Sequence, residues 1–294
     1  MSPNAIEAGW WRVERSGDSS AARCGLCRHE CLIRTGGGGR CGVRFFAQSE
    51  GFSSPYLGRF ISAAIDPIEK KPLHHWRPGT RIMSLGGVGC NMVCPFCQNH
   101  HISHPARMPS PDELSEITPE ALVRLTVDAG LSSVAYTYNE PTMQVEYILA
   151  ASPVLEENGI ASVLVTNGMF SEALCGEMSG AISAANVDVK TFDPETYRAL
   201  GGKLEAVKSN VERLATGGVH VELTNLIVPG VSDSMEDFVR LVEWIEGISR
   251  EIPLHISRYF PSFRCNAPPT DVALMRKFSA HASAHLKHVH LGNV

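Results

Sequence analysis

The chain has 294 residues and a net charge of −5; 44% of its residues are apolar and 19% charged. That balance fits one large folded domain with at most a small appendage, and it excludes a disordered chain. No apolar run approaches the ~20 residues of a membrane span, the first 20 residues lack the apolar stretch of a signal peptide, and the acidic balance gives nucleic acid no electrostatic purchase. A cytoplasmic protein with neither membrane nor nucleic-acid partners is expected.

Seven of the nine cysteines fall in two clusters, and only Cys175 and Cys265 stand alone. Disulfides do not persist in a reducing compartment, so clustered thiols there point to metal. Residues 1–80 read as a metal-binding extension. They are rich in Gly and Cys, include the tetraglycine 36–39, and carry little of the periodicity that builds a core. Cys24, Cys27, Cys31 and Cys41, spaced C-x2-C-x3-C-x9-C, supply four thiolates. These can close a tetrahedral zinc site or ligate a second [4Fe–4S] cluster, and His29 is a competing ligand. Lys70, Lys71, His74, His75, Trp76 and Arg77 then form a basic and aromatic stretch, read as a packed and solvated linker.

From residue 81 to 294, short apolar β-rich runs alternate with helical patterns. Strands are expected at 81–87, 133–138, 162–167, 186–190, 220–228 and 254–259. Helices are expected at 119–129, 143–158, 171–184, 205–216, 234–249 and 271–286. Thr118 before Pro119 suits an N-cap followed by proline at the first helical position, and Ser234 with Asp237 is a weaker relative of the capping box. Six β–α units in series imply a parallel sheet with outer helices, since parallel strands need crossover connections. The count suits a partial (β/α)6 barrel, whose chemistry gathers at the C-terminal ends of its strands.

Directly after the first of these strands runs Gly86-Gly87-Val88-Gly89-Cys90-Asn91-Met92-Val93-Cys94-Pro95-Phe96-Cys97-Gln98-Asn99. Three thiolates, Cys90, Cys94 and Cys97, leave one iron of a cubane cluster without a protein ligand. That iron can be chelated by the amino and carboxylate groups of a small molecule. A zinc knuckle would need a fourth ligand at natural spacing, and His100 and His101 follow Cys97 too closely.

Other strand ends carry polar residues. Glu140, in Tyr138-Asn139-Glu140-Pro141, can accept hydrogen bonds from an ammonium or simply favour a helix N-terminus. Asp188 and Lys190 share one face of a strand, as a ligand pair or as a plain ion pair. Thr166-Asn167-Gly168 ends a strand in a turn, and His255 sits within the last one, where a histidine can equally be a satisfied core residue.

C-x3-C-x2-C after a first strand, with an aromatic before its last cysteine, resembles the motif of the radical S-adenosylmethionine (SAM) superfamily. Asp66-Pro67-Ile68-Glu69-Lys70-Lys71-Pro72-Leu73 and Cys97-Gln98-Asn99 resemble its AmmeMemoRadiSam-system branch, related to pyruvate formate-lyase activating enzyme. The resemblance runs from about Cys24 onward and departs at Arg28, where relatives usually have proline; many relatives also continue past Gly292-Asn293-Val294. It implies a [4Fe–4S] cluster on Cys90, Cys94 and Cys97, with SAM held by Glu140, Thr166, Asn167, Asp188, Lys190 and His255. It further implies reductive cleavage of SAM to a 5′-deoxyadenosyl radical, an electron donor such as flavodoxin or ferredoxin, and an activase-like reaction on a protein substrate. Modification of a small metabolite or nucleotide-derived substrate is the alternative reaction. An iron–sulfur scaffold is the alternative without catalysis, and the polar set at the strand ends argues against it.

Overall fold

The computed structural model describes residues 9–16, 19–49 and 51–294. All six expected strands form, and two more join them in one eight-stranded sheet. In chain order the strands are β1 (Ser62–Pro67), β2 (Arg81–Gly86), β3 (Ser133–Thr137), β4 (Ala161–Thr166), β5 (Ala184–Asp188), β6 (His220–Ile227), β7 (Leu254–Arg258) and β8 (Val289–Gly292). They also lie side by side in that order. β2 to β8 are parallel, while β1 runs antiparallel along β2, pairing Ser62 with Gly86 and Pro67 with Arg81. The barrel sheet thus takes in residues 62–67 as well as the expected β–α units. Strands buried on both faces read as continuous apolar runs, and β3 is buried at every position.

The crossovers carry α1 (Pro119–Asp128), α2 (Val145–Glu157), α3 (Glu172–Ala181), α4 (Pro194–Ala199), α5 (Leu204–Thr216), α6 (Met235–Ile248) and α7 (Val272–His285). The expected caps are in place. Thr118 Oγ1 accepts from the Ala121 N–H at 3.2 Å and Ser234 Oγ from the Asp237 N–H at 3.3 Å, each satisfying a donor of the first helical turn. No helix among the described residues is long and apolar enough to cross a membrane.

Ahead of the barrel, Trp11–Ser16, Ser19–Cys24 and Leu32–Arg34 form a small antiparallel sheet, and Phe45–Ala47 pairs with Gly51–Ser53. This unit buries Ala22, Leu26, Ile33, Val43, Phe46 and Phe52 in the same core cluster as the barrel residues. It therefore borrows the barrel's core instead of building one alone. Backbone bonds stitch it on: Arg28 N–H to Met169 O at 3.1 Å and Ser171 N–H to Leu26 O at 3.0 Å.

Candidate active site

The loop after β2 wraps across the top of the barrel. At Gly89, φ is +86°, and a Cβ there would meet Val43 Cγ1 at 2.6 Å and the Cys41 carbonyl at 3.0 Å. Glycine is needed both for the left-handed backbone and for the close approach of the N-terminal unit. Two asparagines fix the loop to the end of β3. Asn99 Nδ2 donates to the Tyr138 carbonyl at 2.7 Å, and Asn139 Oδ1 accepts from the Gly87 N–H at 3.0 Å while its Nδ2 donates to Gly89 O at 3.1 Å. From the other side, the Arg264 N–H donates to Pro95 O at 2.8 Å and Ser262 Oγ to Cys97 O at 3.3 Å.

Cys90, Cys94 and Cys97 line one cavity of about 340 Å³ together with Glu140, Thr166, Asn167, Asp188 and Lys190. Five of the six residues expected to hold SAM are therefore brought to the thiols, all at C-terminal strand ends. Asn167 Nδ2 donates to Asn91 Oδ1 at 2.8 Å and lies 3.7 Å from Cys90 Sγ. Lys190 Nζ meets Asp188 Oδ2 at 2.7 Å. Burial acts to lower the Lys190 pKa, but the charges of Asp188 and Cys94 raise it overall, so the ammonium is firmly held. Glu140 is more committed than the sequence suggests. Its Oε1 accepts from Thr142 N–H (3.1 Å), Thr142 Oγ1 (2.5 Å) and Thr166 Oγ1 (2.7 Å), and its Oε2 from Asn167 N–H (2.8 Å).

His255 is not part of this cavity's lining. It lies lower in the barrel, its Nε2 2.7 Å from Glu222 Oε2. Glu222 is fully buried and also receives His74 N–H, His75 N–H and His220 Nε2. Although burial acts to raise its pKa, those bonds hold the carboxyl well below the usual carboxylate range. The rings of His74 and His290 flank His255, with centroids 4.6 and 5.0 Å away. Asn225 and Arg258 donate to the carbonyls of Val189 and Thr270.

Further lining residues went unread in the sequence. Tyr138, at φ +71°, and Lys70 line the cavity. Behind them, Lys71 is buried, bonds Asp66 at 2.8 Å, and lies over the Tyr138 ring, whose hydroxyl also donates to Asp66. The 70–77 stretch is thus packed on one side, with Lys71 and Leu73 buried, and solvated on the other, with Lys70, His75 and Arg77 exposed. The Lys-Lys doublet after Asp66 was the available signal.

The donor set fits the cubane cluster and SAM that the motif implies. Burial, then the neighbouring Glu140 charge, lifts Cys90 well above the ordinary thiol range, and burial takes Cys94 to about 11. Thiolates in such surroundings need a bound cation. Asn91 Nδ2, in the loop beside Cys90, is a buried donor with no partner among the described residues, and cluster sulfurs accept such donors. In the N-terminal unit, Cys24, Cys27 and Cys41 are buried, Cys31 is half-buried, and all are free thiols. Burial raises Cys24 to about 11 and Cys27 to about 12, with neighbouring cysteines adding to both. Among the described residues no group of three or more His, Cys, Asp or Glu is arranged to hold a single metal ion.

A parallel barrel with three thiols on the loop after its first parallel strand defines an iron–sulfur SAM architecture, and sequence comparison agrees. The profile of the Radical SAM superfamily matches residues 85–245. The chain belongs to that superfamily, whose enzymes use a [4Fe–4S] cluster and SAM. An uncharacterized protein of Methanocaldococcus jannaschii is 34% identical over 282 residues, covering 94% of this chain and 83% of that one. The pyruvate formate-lyase-activating enzyme of Staphylococcus aureus is 28% identical over 193 residues, 62% of this chain and 75% of that enzyme. A solved radical SAM methyltransferase from Sphaerobacter thermophilus superposes with a TM-score of 0.54 over 95% of this chain and 75% of its own, at 13% identity; that likeness shows the fold.

Proposed function

We propose that this chain is an activase-like enzyme that cleaves SAM reductively and takes a hydrogen atom from a glycine or another site on a protein partner. The supporting observation is the single cavity in which Cys90, Cys94 and Cys97 meet Asn167, Asp188 and Lys190. The similarity to an activating enzyme over most of that enzyme's length favours the protein substrate. When bound, cluster and SAM supply one-electron cleavage of a C–S bond and a hydrogen-abstracting 5′-deoxyadenosyl radical. The three thiolates would anchor the cluster. Lys190, kept protonated by Asp188, would take the SAM carboxylate, and Glu140 and Asn167 would face its amino group. Tyr138 and the Lys70 stem would wall the cavity against water on the β3 side.

The proposal extends to the N-terminal region ahead of the barrel sheet, as its metal-binding extension, and to a cytoplasmic setting. The test is anaerobic: reconstitute with iron and sulfide, reduce, add SAM, and quantify 5′-deoxyadenosine beside total iron and zinc. Deoxyadenosine from the wild type but not from Cys94→Ala supports SAM cleavage. About four irons with one zinc assign zinc to the N-terminal thiols, and about eight irons assign them a cubane, as ligand counts require. Iron without any SAM cleavage sinks the enzymatic reading. Cleavage with no radical on any protein leaves small-molecule modification as the better account.

A further inference from the structure

The cysteine loop has a second face, turned away from the cavity. There Val93 is 38% exposed, and its N–H donates to Leu200 O at 2.9 Å. A Cβ on Gly201 would meet Val93 Cγ2 at 3.1 Å, and one on Gly202 would meet Met92 Cε at 2.9 Å. Met92 itself lines the thiol cavity. One layer of side chains therefore separates the cavity from this outer surface.

Over that layer opens a cleft of about 370 Å³, lined by His29, Arg40, Arg198, Gly201, Gly202 and Lys203 among others. Arg40, Arg198 and Lys203 are exposed. Arg198 is paired with Glu195, and the one acid on the rim, Glu205, is paired with Lys208. Arg40 and Lys203 have no acidic partner among the described residues. His29, Arg40 and Lys203 stand together around this one cleft. In a chain of net charge −5, this is a local field of the opposite sign directly behind the thiols. Such a field steers an oppositely charged partner to one spot.

We infer that this cleft docks an acidic one-electron carrier protein of the flavodoxin or ferredoxin kind, which passes its electron through the Met92–Val93 layer. In the step the reduced carrier loses one electron and the oxidised cluster gains it; no bond forms or breaks. The inference rests on the radical SAM reading and names the route by which that site is reduced.

The experiment uses the reconstituted full chain and a prereduced flavodoxin. Its binding is titrated at low and high salt, and its oxidation by the cluster is followed by stopped flow, with dithionite as a small-molecule control. Arg40→Glu/Lys203→Glu should weaken carrier binding and slow carrier oxidation by roughly tenfold or more at low salt, and Arg40→Gln/Lys203→Gln by less. Reduction by dithionite and the iron content should stay at wild-type levels. Wild-type carrier kinetics in the charge-reversed variant would overturn the inference, as would an equal loss with dithionite. Neither readout requires SAM cleavage, so an enzyme that binds the carrier in this way but never forms deoxyadenosine sinks the proposed function alone.

Discussion

Arg44 grips Glu146 with both terminal nitrogens, at 2.6 and 2.5 Å, and both side chains are nearly closed off from water. The pair ties the N-terminal unit to the first turn of α2, and the Gly9 N–H adds a bond to the same carboxylate at 2.8 Å. Removing one partner strands the other's charge in the interior, whereas removing both does not. Arg44→Leu or Glu146→Leu should each cost about 3–5 kcal/mol in urea unfolding, and the double variant far less than their sum. Additive losses would mean that the two side chains act separately.

The histidines around Glu222 predict an acid limb in stability. His290 is lowered from 6.5 to about 4 by burial and by the adjacent His255 and His74. A folded state that prefers neutral His290 is fully favoured above pH 6.5 and loses that advantage as pH falls towards 4. Glu222 is also depressed, so its contribution is present above its unfolded value of 4.5 and fades below it. Urea midpoints measured from pH 7 downwards should fall in both windows. His290→Asn should flatten the decline between 6.5 and 4, and Glu222→Gln the part below 4.5. Unchanged slopes in both variants would place the acid sensitivity elsewhere.

The barrel strands and the thiol loop are legible because their signals are local. Each strand is a short apolar run, and the three cysteines lie within eight residues of one another. β1 and β8 escape such reading. Ser62–Pro67 has a polar start and a terminal proline, and Val289–Gly292 has only four residues. The companion networks escape for another reason: Asp66 meets Tyr138 across 72 residues, and Glu222 meets His74 across 148. A histidine in a strand, such as His255, reads the same whether it faces a cofactor or a carboxylate lower in the barrel. The pairing of Lys71 with Asp66 was open to the eye, but its burial depended on Tyr138, 67 residues further along the chain.

Gly89 couples the two halves of the site. Gly89→Ala would force a side chain into a left-handed backbone and drive its Cβ into Val43 and the Cys41 carbonyl. The strain alone costs about 1–3 kcal/mol, and the backbone contact cannot be relieved by a rotamer change. Thermal unfolding should drop accordingly, and the reconstituted protein should hold less iron. Gly79→Ala is the control: φ is also positive there, at +75°, but nothing lies within 4 Å. It should lose stability and keep its iron. Equal iron loss in both variants would mean that general destabilisation, and not the contact at Gly89, empties the site.

Glu140 carries the sharpest distinction between holding the site together and touching the ligand. Its Oε1 is saturated by Thr142 and Thr166, while Oε2 has only the Asn167 N–H, so one acceptor direction remains for an ammonium. Glu140→Gln must turn an amide N–H towards a donor on one side or the other, which costs about 1–3 kcal/mol for the unsatisfied group. Thr166→Val removes one donor to Glu140, together with the acceptor of the Gly168 N–H, and keeps the carboxyl group itself. If Glu140 meets the ammonium, equilibrium dialysis should show SAM binding weakened about tenfold or more in Glu140→Gln, because a charge-assisted bond is lost, and by much less in Thr166→Val. Equal weakening in both would make Glu140 a brace for the ends of β3 and β4, with the SAM amino group held elsewhere.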